Sequence, residues 1–166
     1  SSADLMPLLH KQEHQQVDCL LGARFMAGSR LKGYSLLRRL GNRTFNLIYS
    51  ILSGFKIYDL GSGLNVYRVA ALADRQYLRC ADDLTFNYHM ILRSIAAGHR
   101  IRFFPLEWRE DDQVSNVKLV RQSLRVLGTI FDYRLNRRRY LAQTHTPRAG
   151  RPYTASIVYE NNVTAR

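Results

Sequence analysis

Residues 35 to 53 place apolar side chains at helical spacing between a serine and a glycine, and this fixes much of what the chain can become. Leu37, Leu40, Thr44, Leu47, Ile48, Ile51 and Leu52 recur on one stripe, the period of an amphipathic helix. Ser35 is placed to cap its start and Gly54 to end it. Arg38, Arg39 and Arg43 lie off the stripe. A helix with an apolar stripe needs an apolar surface to cover it. The rest of the sequence offers short apolar runs that read as strands. "VDCLLGARF" reads as a buried strand opening into a loop at Gly22, and "RIRFFPLEW" as a strand in which Pro105 implies an edge or a bend. "MAGSRLKGYS" reads as a loop broken at Gly28 and Gly33.

Further helices fit around these strands. Residues 3–16 read as a short helix capped by Asp4. Asp82 or Asp83 is placed to cap another near 84–97, which Gly98 ends. A basic amphipathic helix is expected from about 116 to 135, with Val117, Val120, Leu124, Leu127 and Phe131 on one face. The order of helices and strands predicts an α/β domain whose sheet is incomplete, because no strand precedes the first helix. From residue 136 to 166 the composition turns basic and polar, which reads as a tail.

With 166 residues the chain is long enough for one domain with a core. Its net charge of +12 is segregated. Cys19–Tyr58 holds seven Lys or Arg and no acid, and Tyr133–Tyr159 holds six Arg and no acid. Such a field favours anionic partners: nucleic acid, anionic lipid or phosphorylated substrates. Cys19 and Cys80 lack metal-ligand spacing and read as reduced thiols. The longest apolar run, "FNLIYSILSGF", is short of a bilayer span. His10, Glu13 and His14 match a two-histidine zinc spacing, but no third ligand is evident and no zinc site is expected.

Three stretches carry chemistry. In "YDLGSGLNVYR", glycines around Ser62 can present backbone N–H groups to a phosphate, and Asp59 can orient a hydroxyl or accept its proton. The same residues also suit a plain connecting turn in which Asp59 bonds its own backbone. In "EWREDDQVSNVK", Arg109, Ser115 and Lys118 lie where a loop enters a basic helix, a ready anion site. Alternatively, Arg109 pairs with Glu110 or Asp111 on the surface. In "GAR", Gly22–Arg24 follows a strand, where open α/β sheets bind ligands.

Taken in order, "CLLGAR", a long basic helix, "DLGSGLNVYR", "DLTFNYHMILRSIAAGHRI" and "PLEWREDDQVSNVK" resemble the second half of a family 2 glycosyltransferase. The nearest likeness is to the dolichol-phosphate mannose synthase and bacterial polyprenyl-phosphate sugar transferase branch. The resemblance covers about residues 3 to 135. Val114 stands where that family often has glycine.

The resemblance implies the C-terminal part of a GT-A, Rossmann-like nucleotide-diphospho-sugar transferase domain over residues 1–135, with the first half missing. It implies Asp59 as the catalytic residue, and Arg24, Ser62, Gly63, Arg109, Ser115 and Lys118 as substrate or phosphate contacts. A divalent Mg or Mn would be held by an Asp-x-Asp upstream of Ser1, with no metal ligand in this chain. The piece alone would then be inactive. The partners implied are a nucleotide-diphosphate sugar, a lipid-phosphate or saccharide acceptor, and an anionic membrane surface at the cytoplasmic inner face, with no nucleic acid. A basic nucleic-acid-binding protein is the alternative that the charge alone supports.

Overall fold

A computed structural model describes residues 16–109 and 119–145. The chain is mixed α/β. Its main sheet has three strands in the order β3-β1-β4, where β1 is Cys19–Ala23, β3 is Asn65–Tyr67 and β4 is Ile101–Pro105. The run "CLLGA" is buried at every position, as a central strand covered on both faces should be. It pairs antiparallel with β3 (Leu20 opposite Val66) and parallel with β4 (Leu21 opposite Phe103). Pro105 closes β4, an edge strand, where its missing N–H leaves no ladder bond broken.

The pleat sends alternate β1 side chains to opposite faces. Cys19 and Leu21 join the large core cluster with Tyr49, Ile57, Leu60, Ile91, Leu92, Val126, Ile130, Tyr133 and Tyr140. Leu20 joins a small cluster of Phe104 and Leu106 on the other face. The helices that furnish the large cluster are α1 (Leu36–Ser53), α2 (Phe86–Ala96), α3 (Leu119–Leu135) and α4 (Arg137–Ala142).

α1 begins and ends where expected. The Ser35 side chain accepts from the Arg38 N–H, and Gly54 adopts the left-handed conformation. The orientation differs from the simplest reading of its stripe. Leu37, Leu40, Leu47 and Ile51 are exposed, while Ile48 and Leu52 pack against the core. The fully buried positions are Asn46 and Tyr49. Their polar atoms are satisfied: Asn46 Nδ2 donates to the Tyr58 carbonyl at 2.7 Å, and the Tyr49 hydroxyl to the Val126 carbonyl at 2.6 Å. A buried polar group with a partner costs little, so the face that can tie α1 to the 55–60 segment and to α3 turns inward.

α3 departs in the same way. Leu124 and Phe131, expected on its core face, are exposed, and Val126, Thr129, Ile130 and Tyr133 are buried instead. Val117 lies outside the described residues, as do residues 3–15 of the helix expected at 3–16 and the His10, Glu13 and His14 group.

Three local expectations change. Gly22 lies inside β1 rather than in a loop. A side chain there would sit 2.6 Å from Leu106 Cδ1 and 2.8 Å from the Leu64 carbonyl oxygen, so glycine lets the neighbouring backbone close in. The 26–35 segment contains a strand, β2 (Arg30–Lys32), paired parallel with β5 (Glu107–Arg109) in a second, two-stranded sheet. The run "RIRFFPLEW" therefore divides between two sheets at Leu106. Residues 136–145, read from composition as the start of a tail, fold back as α4, with Tyr140 fully buried. A basic, polar composition conceals the one large aromatic that anchors them.

Candidate functional site

β1 delivers Arg24 to the carboxyl end of the central strand, and the bends after α1 deliver Asp59 to the same place. Arg24 Nε lies 2.7 Å from Asp59 Oδ2 and Arg24 Nη2 lies 2.9 Å from Oδ1. The Arg24 backbone N–H also donates to Oδ2 at 2.8 Å, and the Gly61 N–H to Oδ1 at 3.0 Å. Asp59 is 2% exposed and Arg24 8%. The carboxylate thus accepts four N–H bonds and is held in one orientation. A bidentate guanidinium pair is the strongest and most directional form of this contact. Burial works against the charge of Arg24, but the contact with Asp59 outweighs it and keeps the guanidinium protonated.

Aromatic rings surround the pair. The Arg24 guanidinium carbon lies 5.2 Å from the Phe25 ring, 5.8 Å from Tyr34 and 5.8 Å from Trp108. Arg24 Nη1 also donates to the Tyr34 hydroxyl at 3.3 Å. Cation–π contacts of this kind strengthen as water is excluded. Tyr88, on α2, closes another side. A Cβ on Gly61 would lie 3.4 Å from Arg24 Nη2 and 3.7 Å from the Tyr88 hydroxyl. Burial raises the pKa of Tyr88, and the nearby Asp59 charge adds to it, so the phenol stays neutral and able to donate. Sequence reading missed Phe25, Tyr34, Trp108 and Tyr88. The only local signal was the placement of Phe25 beside Arg24, because the other rings arrive through tertiary packing.

The structure thus joins two of the three stretches singled out in the sequence, "GAR" and "DLGSGL". Ser62 is half-buried and Gly63 exposed, on an irregular 61–64 segment that leads into β3. Gly63 has φ +74°, a conformation that suits glycine. Asp59 does bond its own backbone at Gly61, as a connecting turn would, and holds Arg24 as well. Arg109 ends β5, exposed and one residue beyond Trp108, with Lys32 beside it in register. Ser115 and Lys118 lie outside the described residues.

An apolar groove of about 330 Å³ runs between α1 and α3, with Tyr88, Phe45, Leu37 and Val126 among its walls. Tyr88 belongs both to this groove and to the surroundings of Gly61. Among the described residues no group of three or more His, Cys, Asp or Glu side chains could hold a metal ion. Cys19 and Cys80 are buried free thiols. No described helix is long and apolar enough to cross a membrane. No protein-family model and no solved structure matches the chain.

Proposed function

We propose that this chain is the acceptor-side part of a GT-A, family 2-type glycosyltransferase. In this reading the intact protein moves a sugar from a nucleotide diphosphate to a lipid-phosphate or saccharide acceptor. The observation that supports it is the Arg24–Asp59 contact. Two motifs 35 residues apart, both part of the resemblance to that family, meet at the carboxyl end of a parallel strand. That is where open α/β sheets bind ligands.

Within this reading, roles follow from the contacts of Asp59. Both oxygens of Asp59 are engaged by Arg24 and by backbone N–H groups, which favours orienting Arg24 and the Gly61–Gly63 backbone over abstracting a proton. A lipid phosphate is already anionic and needs no base. Ser62, the backbone of Gly63 and the edge of Arg24 then receive phosphate oxygens; Arg109, Ser115 and Lys118 remain the further phosphate contacts that the resemblance implies. The described residues do not fit the implied Mg or Mn. Asp59 is taken up by Arg24, and no Asp-x-Asp occurs in the sequence. No step is therefore assigned to a metal here.

The outward stripes of α1 (Leu37, Leu40, Leu47, Ile51) and α3 (Leu124, Phe131, Leu135) are exposed on two neighbouring helices. Arg38, Arg39 and Arg43 flank the first. Apolar stripes beside arginines suit the interface of an anionic bilayer, where a lipid-phosphate acceptor resides. The test is a transfer assay on the intact protein with a panel of nucleotide-diphosphate sugars and a short polyprenyl phosphate, read by mass spectrometry. A glycosylated lipid phosphate, lost in Asp59→Asn, is the expected result. No product, together with salt-sensitive binding to duplex DNA, would replace this reading with the nucleic-acid-binding one.

A further inference from the structure

A cluster of rings holds the end of the described chain against α2, away from the Asp59 site. The His89 ring, 4% exposed, stacks on His145 with centroids 4.3 Å apart and on Tyr140 at 5.6 Å. His89 Nδ1 lies 2.5 Å from the Tyr140 hydroxyl, and His145 Nε2 lies 3.1 Å from the Tyr140 carbonyl. In the neutral state these contacts are complementary: Nδ1 of His89 accepts from the phenol and Nε2–H of His145 donates to the carbonyl. Arg93 fastens the same segment. Its Nη1 donates to the Leu141 carbonyl and to Gln76 Oε1, each at 3.0 Å, and its Nη2 to the Gln143 carbonyl at 2.8 Å. The His145 N–H completes the attachment at the Arg79 carbonyl, 2.8 Å away.

The charges around the rings make this attachment conditional. Arg93 is 6% exposed, and all its hydrogen-bond acceptors are neutral. Arg79 approaches from the 76–79 turn, with Nη1 donating to the Ala142 carbonyl, and Arg125 from α3. Of the facing acids, Asp83 is bonded to Arg125 at 2.6 Å, and Asp132 on α3 remains. Arginines therefore outnumber acids around two stacked imidazoles. A proton on either ring adds a cation facing Arg93 at close quarters, and a proton on both sets two cations face to face.

We propose that residues 137–145 form a proton-released strap, docked on α2 while His89 and His145 are neutral and detached when they are protonated. The strap does not depend on the glycosyltransferase reading. Burial, then His145 and Arg93, push His89 down to about 4, and burial likewise lowers His145. A histidine whose docked value lies below its free value of 6.5 takes up a proton on release. The docking free energy is thus fully present above about pH 6.5 and is lost as pH falls toward about 4.

The experiment is amide hydrogen exchange by NMR on the full chain. Gln143 and His145 report the strap, and Leu21 in β1 is the internal reference. Between about pH 7.5 and pH 5 the strap protection factors should fall by more than about tenfold, the linkage expected of one proton taken up on opening. The Leu21 protection factor should stay constant. His145→Gln removes one of the two protons, and the pH dependence should then shrink while protection at neutral pH persists. His89→Gln is the second variant, with the same expectation. The proposal fails if strap and Leu21 lose protection in parallel, or if both variants keep the wild-type pH dependence.

Discussion

Arg24 and Asp59 face each other through two parallel hydrogen bonds of 2.7 and 2.9 Å, in a setting almost closed to solvent. A buried pair of this kind contributes little net stability compared with an apolar pair of the same shape, yet breaking it on one side strands a charge. Asp59→Ala and Arg24→Met should each destabilise the protein by about 3–5 kcal/mol. The double variant Arg24→Met with Asp59→Leu should lose clearly less than the sum of the two single losses. Urea unfolding of the four proteins measures this coupling. Additive losses would mean that the two side chains do not act as a unit.

The glycines separate packing from backbone effects. A methyl at Gly22 meets the Leu64 carbonyl oxygen at 2.8 Å and Leu106 at 2.6 Å, and that oxygen is held close by the Gly22 N–H, which donates to it at 2.9 Å. Gly22→Ala should cost about 1–3 kcal/mol and disturb the β1–β3 spacing. Gly41, within α1, faces open space, and a methyl there would meet nothing within 4 Å. Gly41→Ala should therefore stabilise by about 0.5–1 kcal/mol. Thermal melts of the two variants should move in opposite directions.

The sequence revealed helix caps and the strand-breaking proline well, and loops, tail and tertiary direction poorly. Ser35 and Gly54 bounded α1 to within a residue, and of the edge or bend that Pro105 implied, β4 is an edge, because caps and proline act through the backbone of their own segment. The facing of α1 and α3 was not legible. Both helices carry apolar residues on more than one side, and periodicity cannot say which side meets the sheet when Asn46 and Tyr49 find buried partners. In the site, Arg24 and Asp59 could be named but not paired, since nothing local links residues so far apart. Trp108, Tyr34 and Tyr88 went unnoticed for the same reason.

The outward faces of α1 and α3 lead to a test at a membrane. Leu40 and Leu47 are 65% and 60% exposed, so replacing both with Gln should leave thermal stability within about 0.5 kcal/mol. The same change should weaken flotation with anionic vesicles several-fold, because each leucine buried in the interface contributes on the order of 1 kcal/mol or more. Changing Arg38, Arg39 and Arg43 together to Gln should mainly reduce the dependence of binding on salt and on anionic lipid. Unchanged flotation in both variants would remove the membrane from the proposed function.

Arg109 is the remaining test of the proposed site. β5 pairs parallel with β2, so Arg109 emerges beside Lys32, one residue beyond the Trp108 ring that lies over Arg24. This brings two cations to one strand end. Sugar transfer from a nucleotide diphosphate leaves growing negative charge on the departing phosphates, and a lipid-phosphate acceptor adds more. An arginine grips two phosphate oxygens with a planar fork, whereas a lysine is a point charge. Arg109→Lys keeps the charge and loses the fork. If the intact protein is the proposed transferase, this change should lower kcat/KM by about 2 kcal/mol, near thirtyfold, the size of a lost charged hydrogen bond. Arg109→Ala should be worse, and Lys118→Ala milder than either. If Arg109 instead serves only in a solvent-exposed ion pair, its loss is worth under about 1 kcal/mol. Kinetics of the three variants separate the accounts: activity within about twofold of wild type in all of them would leave the phosphates without a contact from Arg109.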